Sequence, residues 1–384
     1  MEAGGPFGAV GAQRLGIEPP SRRTFLRLLG GAICVCPSLA ADTTVSPREL
    51  TSMEGVAYAF MRAHALPGLS VAVARDGHVL YERGFGYADR ESLITPSHLF
   101  RIASISKPIT SVTLFHLMEE KHLTLDDFVF GARGILGESF GAAPYGRWVE
   151  DIRIKHLLTH TCGGWPNDNS DPMFRNTWMD HQQLITWGIY HLALDHSPGE
   201  HYAYSNFGFC ILGRVIERLA GIPYELYARD VISKACGVSL HMGGNTRAER
   251  AADEVEYFDA DPDVPYNMNI HRMDSCGGWL SRARDLAMFA AHVDGYSLRS
   301  QSMQTGSVVH AIRPNSVNSG WFGSRVSNWS HTGSLPGTSA VVVRSASGLC
   351  WAALANTREA SKETSGAMEI MMRDLVGQVS QWRA

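Results

Sequence analysis

Short runs of apolar and β-branched residues occur near both ends of the chain, and each pair of runs brackets a turn-forming dipeptide. Asp-Gly and Ser-Gly favour tight turns, so each pair of runs predicts a β-hairpin. The two predicted hairpins are residues 69–74 and 79–84 around Asp76-Gly77, and residues 341–344 and 351–356 around Ser347-Gly348.

Apolar residues recur every three to four positions in the segments between and beside these hairpins, which is the period of an amphipathic helix. The clearest case is 206–220, whose apolar face is Phe207, Cys210, Ile211, Val215 and Leu219. The same apolar period predicts helices at 47–64, from Ser104 to about Lys121, at 282–293 and at 360–379. Ser281 is the expected N-cap of the helix at 282–293.

Strands at both ends and helices between them predict an α/β fold. We expect an antiparallel sheet built from both ends of the chain and flanked by helices, with an all-helical region inserted. The corresponding division is an α/β sandwich domain of residues 42–121 and 276–384, and a mainly helical domain of residues 122–275.

Composition and charge limit the partners and cofactors that we expect. The chain has 384 residues, 45% of them hydrophobic, and a net charge of −4 without a basic stripe, so a nucleic-acid partner is not expected. The cysteines at 162, 210, 236, 276 and 350 form no C-x-x-C pair, which predicts mostly free, buried thiols. Nothing in the sequence implies a metal or a cofactor, and the oligomeric state is not indicated.

The first 41 residues are typical of an export signal. Ser21-Arg-Arg-Thr-Phe-Leu-Arg27 follows the twin-arginine pattern, and a mildly apolar stretch with small residues at its end comes next. We expect cleavage after Ala40 or Ala41 and a periplasmic or secreted protein. A stable membrane span is not expected, because a span needs about 20 apolar residues and this stretch is shorter.

Ser104-Ile-Ser-Lys107 carries the first candidate chemistry. Residues three apart share one face of a helix, so the amine can reach the hydroxyl. In a first helical turn the serine also lies at the positive end of the helix dipole. A lysine beside a serine can activate a nucleophile without a histidine, although a lone Ser-x-x-Lys match is a weak signal.

Two further motifs follow in order, Tyr204-Ser-Asn206 and His331-Thr-Gly333-Ser334. Together with Ser104 and Lys107, their order and gaps resemble those of the penicillin-recognising serine hydrolases. That family includes class C β-lactamases, soluble DD-peptidases and class VIII esterases. The flanking segments 154–163, 198–200 and 277–281 are similar to landmarks of the family, and the resemblance covers about 46–376.

The resemblance implies a role for each motif residue. Ser104 would be the nucleophile of an acyl-enzyme, with Lys107 and Tyr204 moving protons and Asn206 holding Lys107 or the substrate amide. Asn206 could also cap the following helix. The backbone N–H groups of Ser334 and Ser104 would form the oxyanion hole.

His331 departs from the β-lactamases, which have lysine there, and is similar to the soluble DD-peptidases and to many peptidase and esterase relatives, which have histidine. A histidine is partly charged near pH 7, so we expect it to bind a substrate carboxylate less firmly than lysine would. This substitution favours a peptidase acting on small linear or D-alanyl peptides, with Gly333 and Ser334 also contacting substrate. A class VIII-type carboxylesterase and a penicillin-binding homologue without turnover remain as alternatives.

Two other motifs are interpreted as structural. Gly137-Glu-Ser139-Phe-Gly141 matches the nucleophile elbow of α/β-hydrolases, but it lacks the helix that should follow. His156 and His160 have the spacing of metal ligands on a helix, but no glutamate lies beside either. We therefore expect both to be core histidines.

Overall fold

The structure is a computed structural model that describes residues 45–293, 322–323, 328–358 and 364–383. The predicted export segment, with Arg22-Arg23 and the cleavage site at Ala40 or Ala41, lies outside the described residues.

The described strands form one large and one small antiparallel sheet. They are β1 (Gly68–Arg75), β2 (His78–Gly86), β3 (Phe100–Arg101), β4 (His241–Met242), β5 (Trp279–Ser281), β6 (Phe322–Gly323), β7 (Trp329–Leu335), β8 (Thr338–Arg344) and β9 (Cys350–Ala355). The large sheet has the order β2-β1-β9-β8-β7-β6 and the small one β3-β5-β4. Because β1 pairs with β9, strands from both ends of the chain share one sheet, as predicted.

Helices occupy most of the region between these strands and both flanks. They are α1 (Pro47–Ala63), α2 (Ser106–Lys121), α3 (Ile154–Leu158), α4 (Pro172–Arg175), α5 (His181–His191), α6 (Asn206–Ala220), α7 (Tyr224–Cys236), α8 (Ala283–Val293) and α9 (Thr364–Val376). No helix in the described part of the chain is long and apolar enough to cross a membrane.

The two faces of the large sheet bury different side chains, because successive residues of a strand point to opposite faces. On one face Val71, Val341 and Val343 pack with the methionines of α1 and α9. On the other face Ala72, Ala352 and neighbouring residues join the larger core that contains α2, α6 and α8. Burying each valine or larger side chain contributes about 1.5–3 kcal/mol, so both layers stabilise the sheet.

Most of the elements predicted from local sequence patterns are confirmed. Both predicted hairpins form, and α6 has the predicted bounds. The cysteines at 162, 210, 236, 276 and 350 are free and buried, as expected. The division into domains at residues 121 and 275 stays a prediction.

Ser281 does not cap a helix as predicted. It is the last residue of β5, its Oγ donates to the Arg282 carbonyl at 3.3 Å, and α8 begins at Ala283. Pairing of β5 with β3, through Ser281 and Phe100, places this residue in extended backbone.

Candidate active site

Ser104 lies on a tight turn between β3 and α2. A 3₁₀ turn, Ala103–Ile105, joins the two elements, and Ala103 has a φ of 48°. A left-handed conformation costs a residue with a Cβ about 1–2 kcal/mol, so the surrounding packing must hold it in place. Every residue from 99 to 115 is buried except Ser104. The turn therefore presents one hydroxyl from an otherwise closed core.

Lys107 lies in the first turn of α2 and is fully buried. Its Nζ donates to Ser104 Oγ at 3.2 Å, to Asn206 Oδ1 at 2.7 Å and to the Cys276 carbonyl at 2.8 Å. An ammonium has three N–H donors, and each finds an oxygen here. The structure thus brings together the serine and lysine that the sequence placed on one helical face.

Tyr204 packs against this lysine, because Lys107 Nζ lies 4.8 Å from the centroid of the tyrosine ring. The Tyr204 carbonyl accepts from the Asn167 N–H at 2.7 Å, which ties the segment before α6 to the loop that leads to α4. The second motif therefore meets the first from about a hundred residues away in the sequence.

Asn206 is not the cap of α6. The cap is Ser205, whose Oγ accepts from the Gly208 N–H at 3.0 Å. This arrangement leaves the buried Asn206 side chain for the site. Its Nδ2 donates to Asp171 Oδ2 at 2.8 Å and to Asn167 Oδ1 at 3.0 Å, while its Oδ1 accepts from the lysine.

The third motif lies on β7, next to the turn that carries Ser104. A Cβ added to Gly333 would be 2.2 Å from the Ile102 carbonyl oxygen, so only glycine lets the strand approach this closely. Ser334 follows with an exposed side chain, whose Oγ lies 3.4 Å from Arg358 Nη1. The oxyanion role of the Ser334 and Ser104 N–H groups stays a prediction.

The expectation that His331 is partly charged near pH 7 is wrong. Its side chain is buried, and its Nδ1 donates to the Thr332 carbonyl at 2.7 Å. Burial, together with the positive charge of Lys107, lowers its pKa from 6.5 to about 3. The imidazole is therefore neutral over the physiological range and cannot attract a carboxylate by charge.

His160 is a site residue whose role the sequence analysis missed. Its carbonyl accepts from the Ala203 N–H at 2.8 Å and its Nδ1 from the Ser205 N–H at 3.0 Å, on either side of Tyr204. Its ring lies 4.3 Å from the Tyr204 ring, between centroids. Burial lowers its pKa well below 6.5. It is a core histidine, as expected, but one that packs on a candidate catalytic group.

The sequence carried only indirect signals of the missed contacts. His160 lies within the family-like segment 154–163, but nothing there connects it with Tyr204. Cys276 contributes a backbone carbonyl, which has no side-chain signature, and Asp171 lies in no motif at all.

The elbow-like motif at 137–141 and the His156–His160 pair lack the helices that a nucleophile elbow and a helical metal site require. Ser139 is exposed in a series of turns, and its carbonyl accepts from Gln182 Nε2 at 2.7 Å. Helix α3 ends before His160, and His156 Nδ1 accepts from the Arg153 N–H at 3.1 Å. Within the described ranges, no three His, Cys, Asp or Glu side chains converge as metal ligands do.

Known proteins resemble this chain in sequence and in fold. Penicillin-binding protein 4* of Bacillus subtilis is 28% identical over 188 residues, which are 44% of this chain and 36% of that protein. Esterase EstB of Burkholderia gladioli is 28% identical over 227 residues, which are 53% of each chain. The chain therefore spans between a third and about half of the length of these relatives.

A D-amino acid amidase from Ochrobactrum anthropi SV3, complexed with L-phenylalanine amide, has a similar structure. The TM-score is 0.69 at 19% identity, and the match covers 86% of this chain and 98% of the amidase. This likeness shows a common fold, an antiparallel sheet with flanking helices of the β-lactamase/transpeptidase type. The family model described as "Beta-lactamase" matches residues 53–371. The chain therefore belongs to the beta-lactamase family of penicillin-recognising serine hydrolases.

Proposed function

We propose that the protein is an exported serine hydrolase that cleaves small linear or D-alanyl peptides through an acyl-enzyme. The observation that carries this proposal is the 3.2 Å contact between Lys107 Nζ and the Oγ of Ser104, which is partly exposed. In this contact the amine donates to the hydroxyl, and at the same distance its neutral form would accept the proton of Ser104. A nucleophile with a proton acceptor in hydrogen-bond reach is the minimal requirement for acyl transfer.

The proposed reaction has two steps. Ser104 Oγ bonds to the substrate carbonyl carbon and gives its proton to the neutral form of Lys107. The C–N bond then breaks, and the proton reaches the leaving amine directly or through Tyr204. In the second step water attacks the ester, its proton returns to Ser104 Oγ, and the acid leaves. The Ser104 and Ser334 N–H groups are proposed to stabilise the oxyanion in both steps.

A free substrate carboxylate needs a cation, and the neutral imidazole of His331 does not supply one. The guanidinium of Arg358 lies at the same end of β7, with Nη1 3.4 Å from Ser334 Oγ. Guanidinium binds carboxylate readily, which supports a peptidase acting on substrates with a free C-terminus.

Ester hydrolysis is the second candidate. An ester presents no carboxylate, so it has no need of a charged group at His331, and one relative, EstB, is an esterase by name. Both candidates use the same nucleophile and the same proton acceptor, and they differ only in the leaving group and its recognition.

A panel of substrates tests the proposal: D-alanyl peptides, small linear peptides and their C-terminal amides, short p-nitrophenyl esters, and nitrocefin. We expect turnover of peptide acids, and Arg358→Gln should raise KM for the acids but not for the amides. Ester turnover without peptide turnover would establish the esterase instead. An acylation burst without a steady state would indicate the penicillin-binding homologue.

The nucleophile is tested in the same assays. Ser104→Ala should reduce turnover at least about a thousandfold, as expected for loss of a covalent nucleophile. The matched control is Ser139→Ala, which removes the exposed serine of the elbow-like motif and should retain full activity. The reverse pattern would contradict the assignment.

A further inference from the structure

Asp171 is a buried carboxylate with two hydrogen bonds. It is 1% exposed and caps the short helix α4, where its Oδ1 accepts from the Met173 N–H at 2.9 Å. Its other oxygen, Oδ2, accepts from Asn206 Nδ2 at 2.8 Å. A cap needs only the first of these contacts, so the second calls for a separate explanation.

The second contact determines which way the Asn206 amide points. Nδ2 faces two oxygens, Asp171 Oδ2 and Asn167 Oδ1, and Oδ1 faces the amine of Lys107. The flipped amide would set its NH₂ against a cation and its oxygen against a carboxylate. Both contacts would then be repulsive, so the carboxylate selects one orientation.

The segment that carries Asp171 is firmly attached to the core. Arg272, which is buried, donates to the carbonyls of Met173 and Met179, each at 2.7 Å, and to that of Asn176. Hydrogen bonds from one buried guanidinium to three carbonyls hold the loop in a single conformation. The position of the carboxylate is therefore set by the fold and not by an exposed loop.

We propose that Asp171 is a positioning residue of the hydrolytic site: it orients the Asn206 amide, which in turn holds Lys107 Nζ at the nucleophilic oxygen of Ser104. This proposal rests on the proposed function. The hydrogen bonds of the described residues connect Asp171 to Lys107 through the Asn206 amide, which lies between the two side chains. A displaced base slows proton transfer sharply, because such transfer requires hydrogen-bond distance.

The charge of Asp171 also contributes to the environment of the lysine. Burial raises the pKa of its carboxyl, while the bond from Asn206 and the charge of Lys107 act in the opposite direction. The other charged or titratable groups facing this pair are Asp168, Arg272, Tyr204, His160, His331 and Cys276. Loss of the carboxylate removes an anion from the surroundings of this amine, so we expect the pH–rate profile of the reaction to change in its absence.

The first test compares Asp171→Asn with Asp168→Asn. A carboxylate has two acceptor oxygens, but the amide of Asp171→Asn has only one. Its NH₂ group must therefore face a second donor, either the Met173 N–H or Asn206 Nδ2. Asp168 is an exposed residue of the same loop, and its carboxylate accepts from the N–H and Oγ of Ser170. Its side chain has no hydrogen bond to Asn206 in the described part of the chain, so its variant is the matched control. The readout is the rate at which a fluorophosphonate labels Ser104, measured from pH 5 to 9. We expect a loss of about tenfold to a hundredfold for Asp171→Asn and wild-type rates for the control.

The second test separates positioning from capping. Asp171→Ala removes both functions, and adding Asn167→Asp returns a carboxylate to the other oxygen position that contacts Asn206 Nδ2. The added carboxylate cannot cap α4, so a merely structural role would not be rescued. We expect labelling to recover at least threefold while the Tm stays at the Asp171→Ala value.

The outcomes are distinguishable. Wild-type labelling rates and pH profile in Asp171→Asn, or no recovery in the double variant, would overturn the positioning role. If Asp171→Asn does not fold, the comparison of Asp171→Ala with the double variant decides alone. Failure of the wild-type protein to be labelled at Ser104 would overturn the proposed function, and the role of Asp171 with it.

Discussion

Gly333 on β7 lies against the Ile102 carbonyl so closely that a Cβ at this position would be 2.2 Å from the oxygen. Ile102 is the second residue before the candidate nucleophile. The contact therefore sets the spacing between Ser104 and the strand that carries His331 and Ser334. In addition, Ser365 Oγ, at the start of α9, donates to the Gly333 carbonyl at 2.8 Å.

Replacing this glycine tests the spacing. Gly333→Ala should destabilise the protein by about 1–3 kcal/mol, as overpacking does. It should also lower kcat strongly, because the strand must move away from the turn that carries the candidate nucleophile Ser104. Urea unfolding and steady-state kinetics measure the two effects. Gly55→Ala in α1 is the control, because its Cβ would meet nothing within 4 Å. It should be neutral or slightly stabilising. Unchanged kinetics in Gly333→Ala would show that the close approach is not needed.

The buried, neutral His331 predicts a pH-dependent stability. Its folded pKa of about 3 lies below its ordinary value of 6.5, so the unfolded chain binds the additional proton. The free energy of unfolding should therefore fall as the pH decreases from about 6.5 towards 3, by up to about 1.4 kcal/mol per pH unit for one such group. The contribution of His331 should be constant above that window. Urea unfolding between pH 8 and 4 measures the slope.

His331→Gln is the comparison for this slope. Since His156 and His160 also have lowered pKa values, the variant should keep part of the fall and lose only the contribution of one proton. Identical slopes would mean that His331 is already charged in the folded protein. In that case the ratio of kcat/KM for a peptide acid to that for its amide should change near pH 6.5.

The contacts of His160 predict a role in holding Tyr204. His160→Phe keeps an aromatic ring beside the tyrosine but leaves the Ser205 N–H without its acceptor at 3.0 Å. An unsatisfied buried N–H costs about 1–3 kcal/mol, and movement of this segment should lower kcat more than it raises KM. Steady-state kinetics and thermal unfolding check both parts. A variant with normal kcat would show that Tyr204 does not depend on this contact.

Export is predicted from the arginine pair near the N-terminus. Arg22→Lys/Arg23→Lys should leave the protein in the cytoplasm, because the twin-arginine pathway reads both side chains. Cell fractionation with an activity assay measures the distribution. Continued appearance in the periplasm or the medium would contradict this pathway.

Local features of the fold could be predicted from the sequence because they depend on neighbouring residues. Asp76-Gly77 and Ser347-Gly348 supply turn conformations, and the apolar period of residues 206–220 defines one buried face. The proximity of Ser104 and Lys107 follows from their spacing of three residues in the same way, although Ser104 lies in the 3₁₀ turn before α2 and not in the helix itself. The prediction of an N-cap at Ser281 was wrong, because a long-range strand pairing competed with the local capping preference. Ser281 pairs with Phe100 as part of β5 and does not cap α8.

The sequence by itself determined the order of the elements, the family-like motifs and the Ser104–Lys107 pair. Only the tertiary structure decided that His331 is buried and neutral, that His160 packs on Tyr204, and that Asp171 accepts from Asn206. The charge of an imidazole depends on its burial and on Lys107, which is 224 positions away in the sequence. Likewise, a hydrogen bond between Asp171 and Asn206 exists only after the chain brings α4 and α6 together. Such properties depend on distance and solvent exposure, which no local pattern of residues encodes.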